Sequence, residues 1–179
     1  QDDMGYVRSV LGTEPEHYGL DSLSDTDKVT LGEGNPVYRI TRQALQQGKA
    51  TTIAEFVEPI PELYVFPIRV NGKPAGVAWV EKVNGEWTIV GTSSDLEFEN
   101  EVSSARARLL EKGLTKEVVL VYDLANHAYG LVGSDGNGRA EFAPMRDLSL
   151  YDVRRGETVS VNEMASRVKN AAQRLGADA

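Results

Sequence analysis

The sequence predicts an α+β protein whose strands form two three-stranded antiparallel meanders, each preceded by a helical segment, with a helix at the C-terminal end. Three observations predict it. Asn71-Gly72 and Asn84-Gly85 each lie between runs of β-branched and aromatic residues, and Asn-Gly fills the two positive-φ positions of a type I′ hairpin turn. A Val-rich run at residues 117–123 is followed by two short apolar runs separated by turn-forming residues. Two stripes recur at helical spacing: Phe98, Val102, Ala105 and Leu109, then Val161, Met164, Ala165, Val168, Ala172 and Leu175.

Taken in order, residues 1–35 are polar, acidic and Gly-rich, and read as a lead-in laying a few apolar anchors on the core. A short helix is expected around Met4–Leu11, and a helical turn over Asp21–Lys28 capped by Asp21 or Ser22. Residues 36–95 are the first structural block. Pro36–Thr41 alternates like a strand, and Arg42–Gln47 favours helix and runs into Gly48, a natural helix stop. Thr52–Val57 reads as a further helical turn, and Pro59 and Pro61 are expected to end regular structure. Leu63–Val70, Ala75–Lys82 and Glu86–Thr92 are the strands of the first meander.

Residues 96–179 form the second block. A helix from Glu97 to Lys112, capped by Ser94 or Asp95 and ended by Gly113, precedes strands at Glu117–Asp123, Ala128–Gly133 and Arg139–Pro144. A connector at 145–157 offers Leu148, Leu150, Tyr151 and Val153 for packing. The last helix spans Val161–Leu175. Ser160 and Glu163 form its capping box, Gly176 terminates it, and the final residues are expected to fray. The order helix–meander–helix–meander has a period of about 50 residues, as in a tandem arrangement, although residue identities do not repeat.

Composition narrows function. The chain has 179 residues with 27 acidic and 19 basic side chains, a net charge of −8. That average field repels nucleic acid and anionic membrane surfaces, so no nucleic-acid partner is expected. No apolar run is long enough for a membrane-spanning helix. Cysteine is absent, which removes disulfides, thiol catalysis and thiolate metal sites. The first residue is Gln1, which suggests an upstream segment removed as a leader or a tag.

No catalytic or metal site stands out. His17 and His127 are the only histidines, and no Gly-x-Ser-x-Gly elbow supplies a nucleophile. Gly91-Thr92-Ser93-Ser94 lacks the second glycine. Asp135-Gly136-Asn137-Gly138 begins like a calcium loop, but Arg139 and Ala140 stand where a ligand and a glycine belong, so a hairpin loop is the better reading. The dense carboxylates at Glu97, Glu99 and Glu101 read as a solvated helix start. No phosphate-cradling loop occurs, and no cofactor is expected.

The aromatic residues of the first meander carry the most information. Alternation puts Tyr64, Phe66 and Ile68 on one face, Trp79 with Val77 and Trp87 with Ile89, with Leu63, Val65, Val80 and Val90 on opposite faces. Tyr64, Phe66, Trp79 and Trp87 are therefore the candidate ligand-binding residues, against the plainer reading of core aromatics.

The stretch from Glu62 through Leu-Tyr-Val-Phe-Pro-Ile-Arg-Val-Asn-Gly to Trp79-Val80 and on to Ile89-Val90-Gly91, with the helical segment before it, resembles cystatin-like modules of exported bacterial proteins. Streptopain-type propeptides and PepSY-type domains are of this kind. The resemblance covers residues about 40–95. It implies a cystatin-like fold, an extracellular or cell-envelope location, and a non-enzymatic role in binding a protein or peptide, including peptidase inhibition. The alternatives from another class are a carboxylate-dependent hydrolase of a cell-envelope polymer and a small-ligand carrier.

Overall fold

The computed structural model describes residues 3–177. In chain order the elements are α1 (Asp3–Thr13), a 3-10 turn at Pro15–Tyr18, β1 (Val29–Leu31), β2 (Asn35–Ile40), α2 (Arg42–Gln47), α3 (Ile53–Phe56), β3 (Val57–Val70), β4 (Lys73–Val83) and β5 (Glu86–Ser93). Then come α4 (Phe98–Glu111), β6 (Glu117–Asp123), β7 (Ala128–Ser134), β8 (Ala140–Pro144), a 3-10 turn at Ser149–Tyr151, β9 (Val159–Ser160) and α5 (Val161–Ala177). The protein is α+β, its strands mostly antiparallel. It divides into two compact units, one from residues 1–36 and 61–100 and the other from 37–60 and 101–179.

The first unit holds the first meander. β3 pairs β4 from Leu63↔Glu81 to Val70↔Lys73, and β4 pairs β5 from Val77↔Ser93 to Val83↔Glu86. Both turns have the expected geometry, with φ of 51° and 81° at Asn71-Gly72 and 53° and 87° at Asn84-Gly85. Gly76 is required where it sits: its φ is +128°, and a Cβ there would lie 2.3 Å from the Ser93 carbonyl oxygen. Val7 and Leu11 of α1 and Tyr18 bury themselves against Ile68, Val70, Ala75 and Ala78.

Three expectations need correction in this part of the chain. Asp21–Lys28 is not a helical turn. The Ser24 backbone N–H donates to Asp27 Oδ2 at 2.7 Å, which closes a loop leading into β1, a strand of three residues beside β3. Of the two caps expected for α4, Ser94 or Asp95, Ser94 is withdrawn: its hydroxyl lies 3.0 Å from His17 Nε2. Pro59 and Pro61 do not end regular structure, since β3 runs through both. Proline's restricted φ suits extended backbone, and its only cost there is one missing donor. The irregular residue of the strand is Glu62 instead, whose φ is +56°.

In the second unit, residues 37–60 form the strand and the two short helices that the sequence predicts. Thr41 caps α2 by accepting from the Ala44 N–H at 3.0 Å, and Gly48 at φ 66° stops it. Thr52 caps α3 in the same way. β2 runs parallel to β6, with Val37 beside Leu120. β6, β7 and β8 form the second meander, in full antiparallel register from Glu117↔Ser134 and Gly130↔Pro144, and β9 lies beside β8. Gly113 ends α4 at φ 71° in a Schellman arrangement, with the Gly113 N–H on Leu110 and the Leu114 N–H on Leu109.

A large core cluster of this unit joins Ile53 and Phe56 of α3, Val121 and Val132 of the sheet, Phe142 of β8, and Met164, Ala165 and Val168 of α5. Leu148, Tyr151 and Val153 of the connector join it. The α5 stripe needs adjustment at its end. Ala171 is buried while Ala172 and Leu175 are exposed, because the turn three residues after Val168, not four, faces the core. Gly176 lies inside the helix rather than ending it. The Ser160 half of the capping box forms, accepting from the Glu163 N–H at 3.0 Å; the Glu163 carboxylate turns to Arg167. The expected fraying of residues 178 and 179 lies outside the described residues.

Candidate functional site

The structure gathers three of the four candidate aromatics. Tyr64 lies edge-to-face on Trp87 with ring centroids 5.4 Å apart, and Phe66 lies 6.5 Å from Tyr64. The register explains the grouping. Tyr64 is opposite Val80 and Trp87 is opposite Lys82, so the three rings share a face at the end of the meander away from α1's anchors. Trp79 is opposite Val65, between Tyr64 and Phe66 in sequence, and therefore projects from the other face.

Tyr64 and Phe66 are half-buried, while Trp87 is 50% exposed. The Lys82 ammonium sits 5.9 Å from the Trp87 ring centroid, within cation–π range, and 3.4 Å from Glu62. Val83 and Val90 are also exposed, at 42% and 47%. Residues 83–90 thus hold three of the seven exposed large apolar side chains among the described residues.

The setting of this cluster is a sheet edge. β5 ends the strand path and hydrogen-bonds to β4 alone. None of its eight residues is buried. It contains no Lys, Arg or Pro and only Glu86 as a charge, so a β-bulge, rather than basic residues or proline, is what blunts this edge. The register shifts between Trp79 and Val80, leaving Val90 without a partner on β4. Sequence reasoning missed Val83, Val90 and Lys82. The uncharged run Trp87-Thr88-Ile89-Val90 was a usable signal, but its position at the edge depends on which strands lie beside it.

The polar candidates lie elsewhere, each with its own partner. His127 is an exposed turn residue at φ 49°. The nearby Asp123 carboxylate is buried and accepts from the Ile40 N–H at 2.9 Å and the Asn126 side-chain amide at 2.7 Å. Asp135 forms the expected hairpin loop, accepting from the Asn137 and Arg139 backbone N–H groups, and these bonds lower its pKa.

The carboxylates at the start of α4 part company. Glu97 is exposed, Glu99 pairs with Arg69, and Glu101 is buried with Arg146. The helix start is therefore less solvated than the sequence suggested. Glu141 is also nearly buried. Burial pulls its pKa upward, but hydrogen bonds from Lys112, Arg139 and Thr158 outweigh that and hold it below the ordinary value.

A cleft lined by Tyr151, Asp152, Arg167, Asn170, Gln173 and Arg174 offers two cations, but both already serve the fold. Arg167 donates to the carbonyls of Tyr151 and Asp152, and Arg174 to that of Leu150. Among the described residues no group of three or more His, Asp or Glu side chains is placed to hold a metal ion, and no helix is long and apolar enough to cross a membrane.

The chain matches no protein-family model, no curated protein and no solved structure.

Proposed function

We propose that this protein is a non-enzymatic binding module that takes a protein or peptide partner at the Tyr64–Phe66–Trp87 end of its first meander. The observation that carries this reading is the joining of an exposed aromatic cluster to a strand edge that pairs on one side only and carries no Lys, Arg or Pro. Aromatic side chains contribute large contact area at small entropic cost, and an open edge supplies a row of unpaired backbone donors and acceptors. The buried carboxylates Glu101, Asp123 and Glu141 are each engaged by cations or amides, so none is poised as a general acid or base, and the hydrolase reading has no comparable support.

The exported setting and the peptidase-inhibitor version of this role rest on the resemblance of residues 40–95 alone. Selection from a random peptide library on the intact chain tests the binding role. Selected peptides should lose about tenfold or more in affinity for the Trp87→Ala and Tyr64→Ala variants. If no peptide is enriched, or the enriched ones ignore both substitutions, the reading fails. The inhibitor version is checked by assay against cysteine and serine peptidases at micromolar concentration.

A further inference from the structure

The charge of this protein is unequally shared. The first unit carries 14 acidic and 5 basic side chains, and the second carries 13 acidic and 14 basic. The first is therefore at −9 and the second at +1, which together give the −8 of the whole chain. The unit that holds the open edge holds all of the excess negative charge. Close to that edge, Glu62, Glu81 and Glu86 are exposed, and Lys82, the cation beside Trp87, lies within reach of Glu62.

We infer that β5 receives a basic, extended peptide segment as an added antiparallel or parallel strand, with an apolar side chain of that segment set against Trp87. This rests on the binding role proposed above and names the chemistry of its partner. Backbone pairing gives affinity without regard to sequence, while the acidic field selects against acidic segments and speeds the approach of basic ones. Trp87 and Ile89 on one face, and Thr88 on the other, flank the positions that the alternate side chains of the added strand occupy. A second copy of this chain is the poorer occupant, because self-pairing brings together two units of −9.

The test titrates the full chain with three fluorescent peptides that match the eight residues of β5: alternating Lys-Val, alternating Glu-Val, and the Lys-Val peptide with every backbone amide N-methylated. The Lys-Val peptide should bind about tenfold or more tighter than Glu-Val, and more weakly as salt rises. N-methylation should cost a similar factor, because it removes the donors of the ladder. The double variant Thr88→Lys, Val90→Lys should weaken Lys-Val binding about tenfold, and Leu110→Lys in the second unit should not.

Equal binding of both charge signs, or undiminished binding of the N-methylated peptide, overturns the inference. So does a dimer, seen by sedimentation, that the double variant dissolves, since a second copy would then be the occupant. Library peptides that bind while Lys-Val does not would defeat this inference and leave the binding role standing. Failure of every peptide in both experiments defeats both.

Discussion

The two meanders share a connectivity and differ in the fate of their last strand. β8 has all five residues buried, with β7 on one side and β9 on the other. β5 has none buried and one neighbour. The chain downstream of each strand accounts for the difference. β8 is succeeded by a connector, a short strand and α5, which together supply Val153, Val159, Met164 and Val168 to the core around it. After β5 the chain passes directly to α4. One supersecondary pattern thus ends as core in one place and as an exposed edge in the other, depending on the segment that comes next.

The largest test of that contrast compares one aromatic from each last strand. Phe142 is fully buried and edge-to-face with Phe56 at 6.2 Å, so Phe142→Ala should cost about 3–5 kcal/mol in denaturant unfolding. Trp87→Ala should cost less than about 1 kcal/mol. Comparable losses would mean that Trp87 is a core residue.

A second test uses acid. The fold holds Glu141 below its ordinary pKa, so its stabilisation is complete above the unfolded value of about 4.3 and drains away as pH falls through the lower folded value. Glu141→Gln should cost about 1–2 kcal/mol at neutral pH and flatten the acid limb of the stability profile. An unchanged limb would assign it to other carboxyls.

Alkaline titration is its mirror. Burial, then the nearby charge of Asp123 and Tyr129, pushes the Tyr151 pKa up to about 12, so stability should fall as pH rises from about 10 toward that value. Tyr151→Phe should remove the dependence.

The first unit is also held by a smaller clasp. The Asn71 side chain accepts from the Lys28 N–H at 2.9 Å and donates to Asp27 at 2.7 Å, so Asn71→Ala should cost about 1 kcal/mol. The smallest effect belongs to Arg39→Ala, which removes an exposed pair with Glu58 and should change stability by less than about 0.5 kcal/mol.

Most of the fold was legible where local chemistry decides it. Both Asn-Gly turns, the Thr41-to-Gly48 helix and all six meander strands arise from turn and cap residues that act within a few positions. The failures occur where distant partners decide. Val29-Thr30-Leu31 is too short to announce a strand, and exists because Ile68, Arg69 and Val70 lie beside it. The prolines at 59 and 61 read as breakers because sequence does not reveal that the extended chain continues through them. The aromatic cluster was half legible. Alternation grouped Tyr64 with Phe66, but only the register set Trp79 apart from them and brought Trp87 to Tyr64. The charge imbalance could not be seen at all, because each unit draws on two separated stretches of chain.

That interleaving has a consequence for synthesis. The first unit has all its residues once position 100 has been made, whereas residues 37–60 must wait for 101–179. At a ribosomal rate of about 5–20 residues per second, those 79 residues take roughly 4–16 s. During that interval Ala44, Ile53 and Phe56 lack the Phe142 and Met164 side chains that bury them. The nascent chain therefore carries a finished acidic unit and an unfinished apolar one, and it is the latter that a chaperone would hold.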